Sequence, residues 1–279
     1  MRAEVATDRV ARARKTAQVS SGLAYHEIWD GPSKYLYSVS AAQFLTHVQC
    51  VKETMSAGSL QDTSRHITFD DGHISQHIHA LPILQNVGVK ATFFITVGWT
   101  DNRDGYMSWR EIAELISCGH EVQSHGWSHQ FLTKCSAQTL KEELVRSKTE
   151  LEDRLGVHVN AISAPGGRWD EKVLASCAEA GYKRVFTSDP WMTPRAHFGL
   201  EVCGRWMVTR DMTPLDIRAR LLGKGAKLYF LRADHIAKSL AKKLLGDQRY
   251  QTMWRALASK DKSMETLEDQ ALLKPRMKT

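Results

Sequence analysis

The 279-residue chain is long enough to bury the core of one large α/β domain or two small ones, and its 42% hydrophobic and 25% charged residues are ordinary for a soluble globular protein. Five widely spaced cysteines, without a C-x-x-C pair, exclude a disulfide framework or a cysteine zinc knuckle; the polar start lacks the apolar run of a secretory signal, and no later stretch is a transmembrane helix. The net charge of +7 is carried late, since residues 1–209 hold 22 bases against 23 acids and residues 210–279 hold 16 bases against 8 acids.

In chain order, residues 1–22 form a polar N-terminal segment. "GLAYHEIW" reads as a first strand, and "SVSAAQFLTHVQCVKE" as a helix opened by Ser40. "HITFD" is strand-like, a helical stretch follows to Asn86, and "GVKATFFITVG" is a buried strand. "SWREIAELISCG" has Ser108 and Glu111 at capping-box spacing and stops at Gly119. Then come the strand "HEVQSH", the helix "SAQTLKEELVRSKTELEDRLG", the strand "VNAISAP", the helix "DEKVLASCAEAG" and the strand "YKRVFTS". Strands alternating with helices predict a parallel sheet covered by helices, as an open sheet or a (β/α) barrel, with the functional site at the C-terminal strand ends. The unusual residues fall there: Asp70 and Asp71 after one strand, His125 after another, Pro165 to Arg168 after a third, Ser188 and Asp189 after a fourth.

Two adjacent carboxylates repel unless a cation or shared chemistry makes both useful. His125 and His129, four apart in "SHGWSH", form only a weak motif alone. Combined with the Asp pair, they supply two imidazoles and a carboxylate, a ligand set that leaves open positions for water and substrate. One Asp would then bind the ion and the other would be free to act as a base.

"TFDDG" and "HGWSH" resemble the first two motifs of the NodB-like polysaccharide deacetylases, carbohydrate esterase family 4, and "APGG" resembles a variant of the third. The "YHEI" strand and its following helix resemble the lead-in of bacterial members, so the likeness covers roughly residues 23–210. It implies a distorted (β/α) barrel over 23–210, with residues 211–279 as a basic helical extension packed on or beside it. It also implies that Asp71, His125 and His129 hold one divalent metal ion, zinc or else cobalt, nickel or manganese, and that Asp70 is the catalytic base. The Pro165, Gly166, Gly167 and Arg168 loop would line the substrate groove, with the Gly166 N–H at the oxyanion. The activity implied is removal of N-acetyl groups from a saccharide or lipid-linked glycan.

Two family positions differ. The late L-x-H motif that carries the acid has no match, since His197 and His235 sit in other contexts. Ser163 stands where the third motif has an Arg, leaving Arg168 or Arg205 to supply that charge. His73 either contacts substrate and the metal surroundings or bonds its own turn, and His26 reads as a buried strand residue. Trp99, Trp109, Trp127, Trp169 and Trp191 lie near strand ends, where they either stack on sugars or pack in loops; Trp127 and Trp169 are nearest the motifs. In the C-terminal region Ile236, Leu240 and Leu244 share one helical stripe beside Lys238, Lys242 and Lys243. That helix either packs on the barrel or meets anionic lipid headgroups. The expected location is the cytoplasm, with peripheral contact at the inner membrane face if the helix binds lipid. No nucleic-acid motif is present, and the alternatives to a sugar deacetylase are a catalytically impaired sugar-binding or scaffold protein and a hydrolase of a non-sugar amide.

Overall fold

The computed structural model describes residues 22–31, 33, 35–57, 66–191, 195–226 and 228–233. The C-terminal stripe and His235 lie outside them, as does all but the last residue of the N-terminal segment. The described residues up to Gly223 belong to one compact unit, and those from Lys224 to another. The first unit therefore runs past residue 210.

Its sheet contains β1 (Gly22–Tyr25), β4 (Ile67–Phe69), β5 (Thr92–Ile95), β6 (Glu121–Ser124), β7 (Ala161–Ser163), β8 (Arg184–Phe186), β9 (Arg195–His197), β10 (Leu200–Cys203) and β11 (Arg205–Met207). Their order is β11-β1-β4-β5-β6-β7-β8-β10-β9, parallel throughout except for the β9–β10 pair. β1, β4, β5 and β7 are buried at every residue, which is why they read as apolar runs without alternation: helices cover one face and side chains fill the other. Phe69 and Phe93 stack at 4.7 Å between centroids inside this core. The sheet curls on itself, because Arg205 on β11 reaches Ser163 on β7 and the Thr187 carbonyl just past β8. This mixed α/β architecture is the one expected.

Six α-helices are described in this unit: α1 (Ala41–Ser56), α2 (Leu81–Val87), α3 (Trp109–Ser117), α4 (Ala137–Leu155), α5 (Glu171–Glu179) and α6 (Pro214–Leu222). Local chemistry sets their starts. Ser40, Ser136 and Asp170 accept the N–H three residues on, and Ser108–Glu111 and Thr213–Asp216 form full capping boxes; each cap contributes about 1 kcal/mol. α6 lies on α1, where Gln43 donates to the Met212 carbonyl and His47 Nε2 to the same oxygen at 2.9 Å.

Three details differ from the sequence reading. The first strand breaks after Tyr25: β1 stays in the main sheet, whereas β2 (Glu27–Ile28) pairs with β3 (Ser38–Val39) in a separate ribbon, which leaves His26 at the break. The helix before Asn86 opens as a wide turn over Gln76–Ala80, because Pro82 has no N–H to continue an ordinary ladder. β9 to β11 were not anticipated, and β9 returns to β10 through Phe198 and Gly199, both left-handed as a two-residue hairpin turn requires. All five cysteines are free, and no helix among the described residues is long and apolar enough to cross a membrane.

Candidate metal centre

β4 ends by delivering two carboxylates to different partners. Asp71 and Gly72 are both left-handed, at φ 77° and 82°, so the chain turns sharply between the strand and the loop beyond it. The turn is held by Thr96 N–H on the Asp71 carbonyl and Met107 N–H on that of Gly72. A left-handed Asp is tolerated where the surroundings over-determine it.

Asp71 Oδ1 lies 3.0 Å from His129 Nε2 and 3.4 Å from His125 Nε2, and the three donor atoms fall within 4.8 Å of one another. Donors each about 2 Å from a tetrahedral ion sit roughly 3.3 Å apart, so the set fits a small divalent cation. His125 Nδ1 donates to the Ser163 carbonyl at 2.8 Å, which leaves the Nε2 lone pair facing Asp71. His129 is left-handed at φ 65°, and its ring stacks on Trp99 with centroids 5.0 Å apart.

Asp70 belongs to a separate buried network. Arg205 grips it with two parallel bonds, Nη1 to Oδ1 and Nη2 to Oδ2, both 2.8 Å, while the Ser163 hydroxyl donates to Oδ2 at 3.1 Å. Arg205 also donates to Thr68 Oγ1 and Ser163 Oγ, and it is only 1% exposed. Burial works to raise the Asp70 carboxyl, but the Arg205 charge, followed by that of His125, outweighs it and holds the group at about 2. Of the two arginines that the sequence offered, Arg205 is the one that pairs with Asp70. Arg168, the other candidate, instead lies 4.4 Å from the Phe131 ring centroid.

The "PGG" loop needs its glycines. A Cβ at Gly166, left-handed at φ 64°, would come 2.5 Å from the Phe131 ring, and one at Gly167 would come 1.9 Å from Ser188 Oγ. Pro165 is buried and Gly166 is exposed. Trp127 is placed against α4, with its ring 3.5 Å from the Arg146 guanidinium. His73 bonds its own turn through Ser75, at 2.8 Å to the hydroxyl, and meets the Tyr106 ring edge-on. Asp189 accepts the Trp191 N–H and closes a turn, Trp191 packs on Trp206, and His197 lies on β9.

Four residues were not read from the sequence as part of the site. His26, at the break after β1, shares an anchor with Asp70, because Gln76 Nε2 donates to both backbone carbonyls, at 2.8 and 2.6 Å. Its charge is also among those that lower Asp70. Tyr35 and Tyr106 both feel Asp71: burial first and that carboxylate second raise their phenols, so each stays protonated beside the site. Glu143, on α4, holds the loop between the two histidines. The only signal for it in the sequence is its phase on a helix that follows the motif.

Residues 57–185 match the polysaccharide deacetylase family model. The chain is 29% identical over 136 residues to the chitooligosaccharide deacetylase of Sinorhizobium fredii, covering 47% of this chain and 61% of that protein. It is 28% identical over 134 residues to the peptidoglycan-N-acetylglucosamine deacetylase of Bacillus cereus, covering 46% and 60%. Of the Bacillus subtilis relative YxkH, 29% identical, it spans 46%. Among solved structures, a Bacillus cereus polysaccharide deacetylase aligns with TM-score 0.62 at 26% identity, over 72% of this chain and 68% of that one. The Streptococcus pyogenes deacetylase PplD, solved with acetate, shares the fold with TM-score 0.63 at 24% identity, over 73% and 98%.

Proposed function

We propose, from the match of residues 57–185 to the polysaccharide deacetylase family model, that the chain is a metal-dependent hydrolase that removes acetyl from an N-acetylated saccharide. The observation that carries this reading is the convergence of Asp71, His125 and His129 beside an Asp70 clamped by Arg205.

Asp71, His125 and His129 would hold the ion, zinc or another first-row divalent cation, which supplies an acidified water and polarises the amide carbonyl. Asp70, kept ionised by Arg205, would orient the attacking water and accept its proton. A carboxylate held below the usual range by Arg205 retains a proton poorly, so it would pass the proton on to the far more basic departing amine. The loop at Pro165 to Arg168 lines the groove, with the Gly166 N–H directed to the oxyanion.

The test is metal content by elemental analysis, with acetate release from N-acetylated chitooligosaccharides measured on wild type, Asp70→Asn and Asp71→Ala. Near-stoichiometric metal lost in Asp71→Ala, with turnover lost in both variants, is expected. Metal without turnover would favour the catalytically impaired sugar-binding alternative, and no metal after add-back would remove the reading altogether.

A further inference from the structure

His125 and His129 are not presented by a helix, although four-residue spacing would suit one. They flank a tight loop in which Gly126 is left-handed at φ 78° and His129 at 65°. Such a loop has many other conformations open to it, and a left-handed non-glycine residue costs about 1–3 kcal/mol unless its surroundings enforce it. The enforcement comes from one face of α4.

Glu143, 4% exposed, accepts the Trp127 N–H at 2.8 Å and the Ser128 N–H at 3.0 Å, and takes the Ser128 hydroxyl in a short bond. One turn along, Ser147 bonds Ser124 Oγ at 2.9 Å, and that oxygen accepts the Gly126 N–H at 3.1 Å. Arg146 lies flat over Trp127. The three consecutive N–H groups between the ligands are therefore tied, directly or through Ser124, to side chains of one helix turn. A buried carboxylate is an expensive way to fill space, and an apolar residue of that size would pack with less penalty. Its use here points to the loop it orders.

We propose that Glu143 is a positioning residue of the metal centre: by binding the loop amides it fixes both imidazoles toward Asp71 before an ion arrives, and so sets the affinity for that ion. The inference rests on the metal-dependent reading above. Hydrogen-bonded supports of metal ligands typically change affinity by about 10–100-fold when removed.

The experiment is a competitive chelator titration with Zn²⁺ on wild type, Glu143→Gln, Glu143→Asp and Ser128→Ala, with Leu151→Ala as a comparator. Leu151 is buried on the same helix and has no bond to the loop, so its loss lowers stability without reaching the ligands. Glu143→Gln, whose amide turns an NH₂ toward donors, should bind Zn²⁺ about 10–100-fold more weakly. Glu143→Asp should recover part of that loss, and Leu151→Ala should stay within threefold of wild type. If Glu143→Gln does not fold, Ser128→Ala carries the test, with weaker Zn²⁺ binding at an unchanged metal-free melting temperature expected. Wild-type affinity in both Glu143→Gln and Ser128→Ala would overturn the proposal while leaving the metal reading intact. A wild type that binds no Zn²⁺ would remove both.

Discussion

Two adjacent carboxylates can coexist in a buried site when the backbone sends them to different cations. Here the left-handed Asp71 and Gly72 put the turn directly after Asp70, so Asp70 pairs with Arg205 and Asp71 faces two imidazoles. We expect Arg205→Ala to cost about 3–5 kcal/mol in urea unfolding, because it strands a buried carboxylate. Asp70 should then rise above its present value, since burial is no longer opposed, and acetate release should fall at least about 100-fold. Arg205→Lys should recover little, as an ammonium cannot make the two parallel bonds. A loss below about 1 kcal/mol for Arg205→Ala would contradict the network. The clustering of Asp71, His125 and His129 beside Asp70 was legible because their motifs are contiguous or four residues apart. Arg205 was one of two options, since 135 residues separate it from Asp70 and only the β11-β1-β4 strand order brings them together. His26 reads as a buried strand residue and is buried, but it sits at the break between β1 and β2, which its flanks Tyr25 and Glu27 do not announce.

At the scale of elements, what the chain announced were strands lying within apolar runs and helices opened by Ser or Asp caps. β9, β10 and β11 were not legible, because Arg195, His197, Glu201 and Arg205 interrupt any apolar run there. The β5–β6 junction carries its own pH dependence. His120, just before β6, accepts the Ala91 N–H on Nδ1 and meets the edge of Phe93. Burial, and then the Lys90 charge, push its pKa down to about 4 from 6.5. A histidine depressed in the folded state binds a proton more readily when unfolded, so its contribution to stability is complete above 6.5 and is lost as pH falls toward 4. Between pH 7 and 5 we expect the wild type to lose on the order of 1–2 kcal/mol through this group. His120→Gln should show a shallower fall over that interval in urea titrations; an identical slope would assign the effect elsewhere.

For the whole molecule, the same site should act as a fastener. Asp71 follows β4, while His125 and His129 belong to the loop after β6, so an ion held by all three cross-links segments on either side of β5. An ion that binds the folded chain alone adds RT ln(1 + [L]/Kd), about 2.7 kcal/mol at a hundredfold excess over Kd. For a unit of this size each kcal/mol raises the melting temperature by roughly 2–4 °C, so adding Zn²⁺ to chelator-treated protein should raise it by about 5–10 °C. The gain should grow with the logarithm of free Zn²⁺, vanish on adding chelator, and be absent in Asp71→Ala. It should persist in Asp70→Asn, because Asp70 touches Arg205 and Ser163 and is not among the three ligands. That contrast separates the ion's structural contribution from its chemistry: a variant whose melting temperature rises with Zn²⁺ by as much as wild type yet releases no acetate locates the fault at the base. Equal Zn²⁺ stabilisation of Asp71→Ala and wild type would place the ion somewhere other than this cluster.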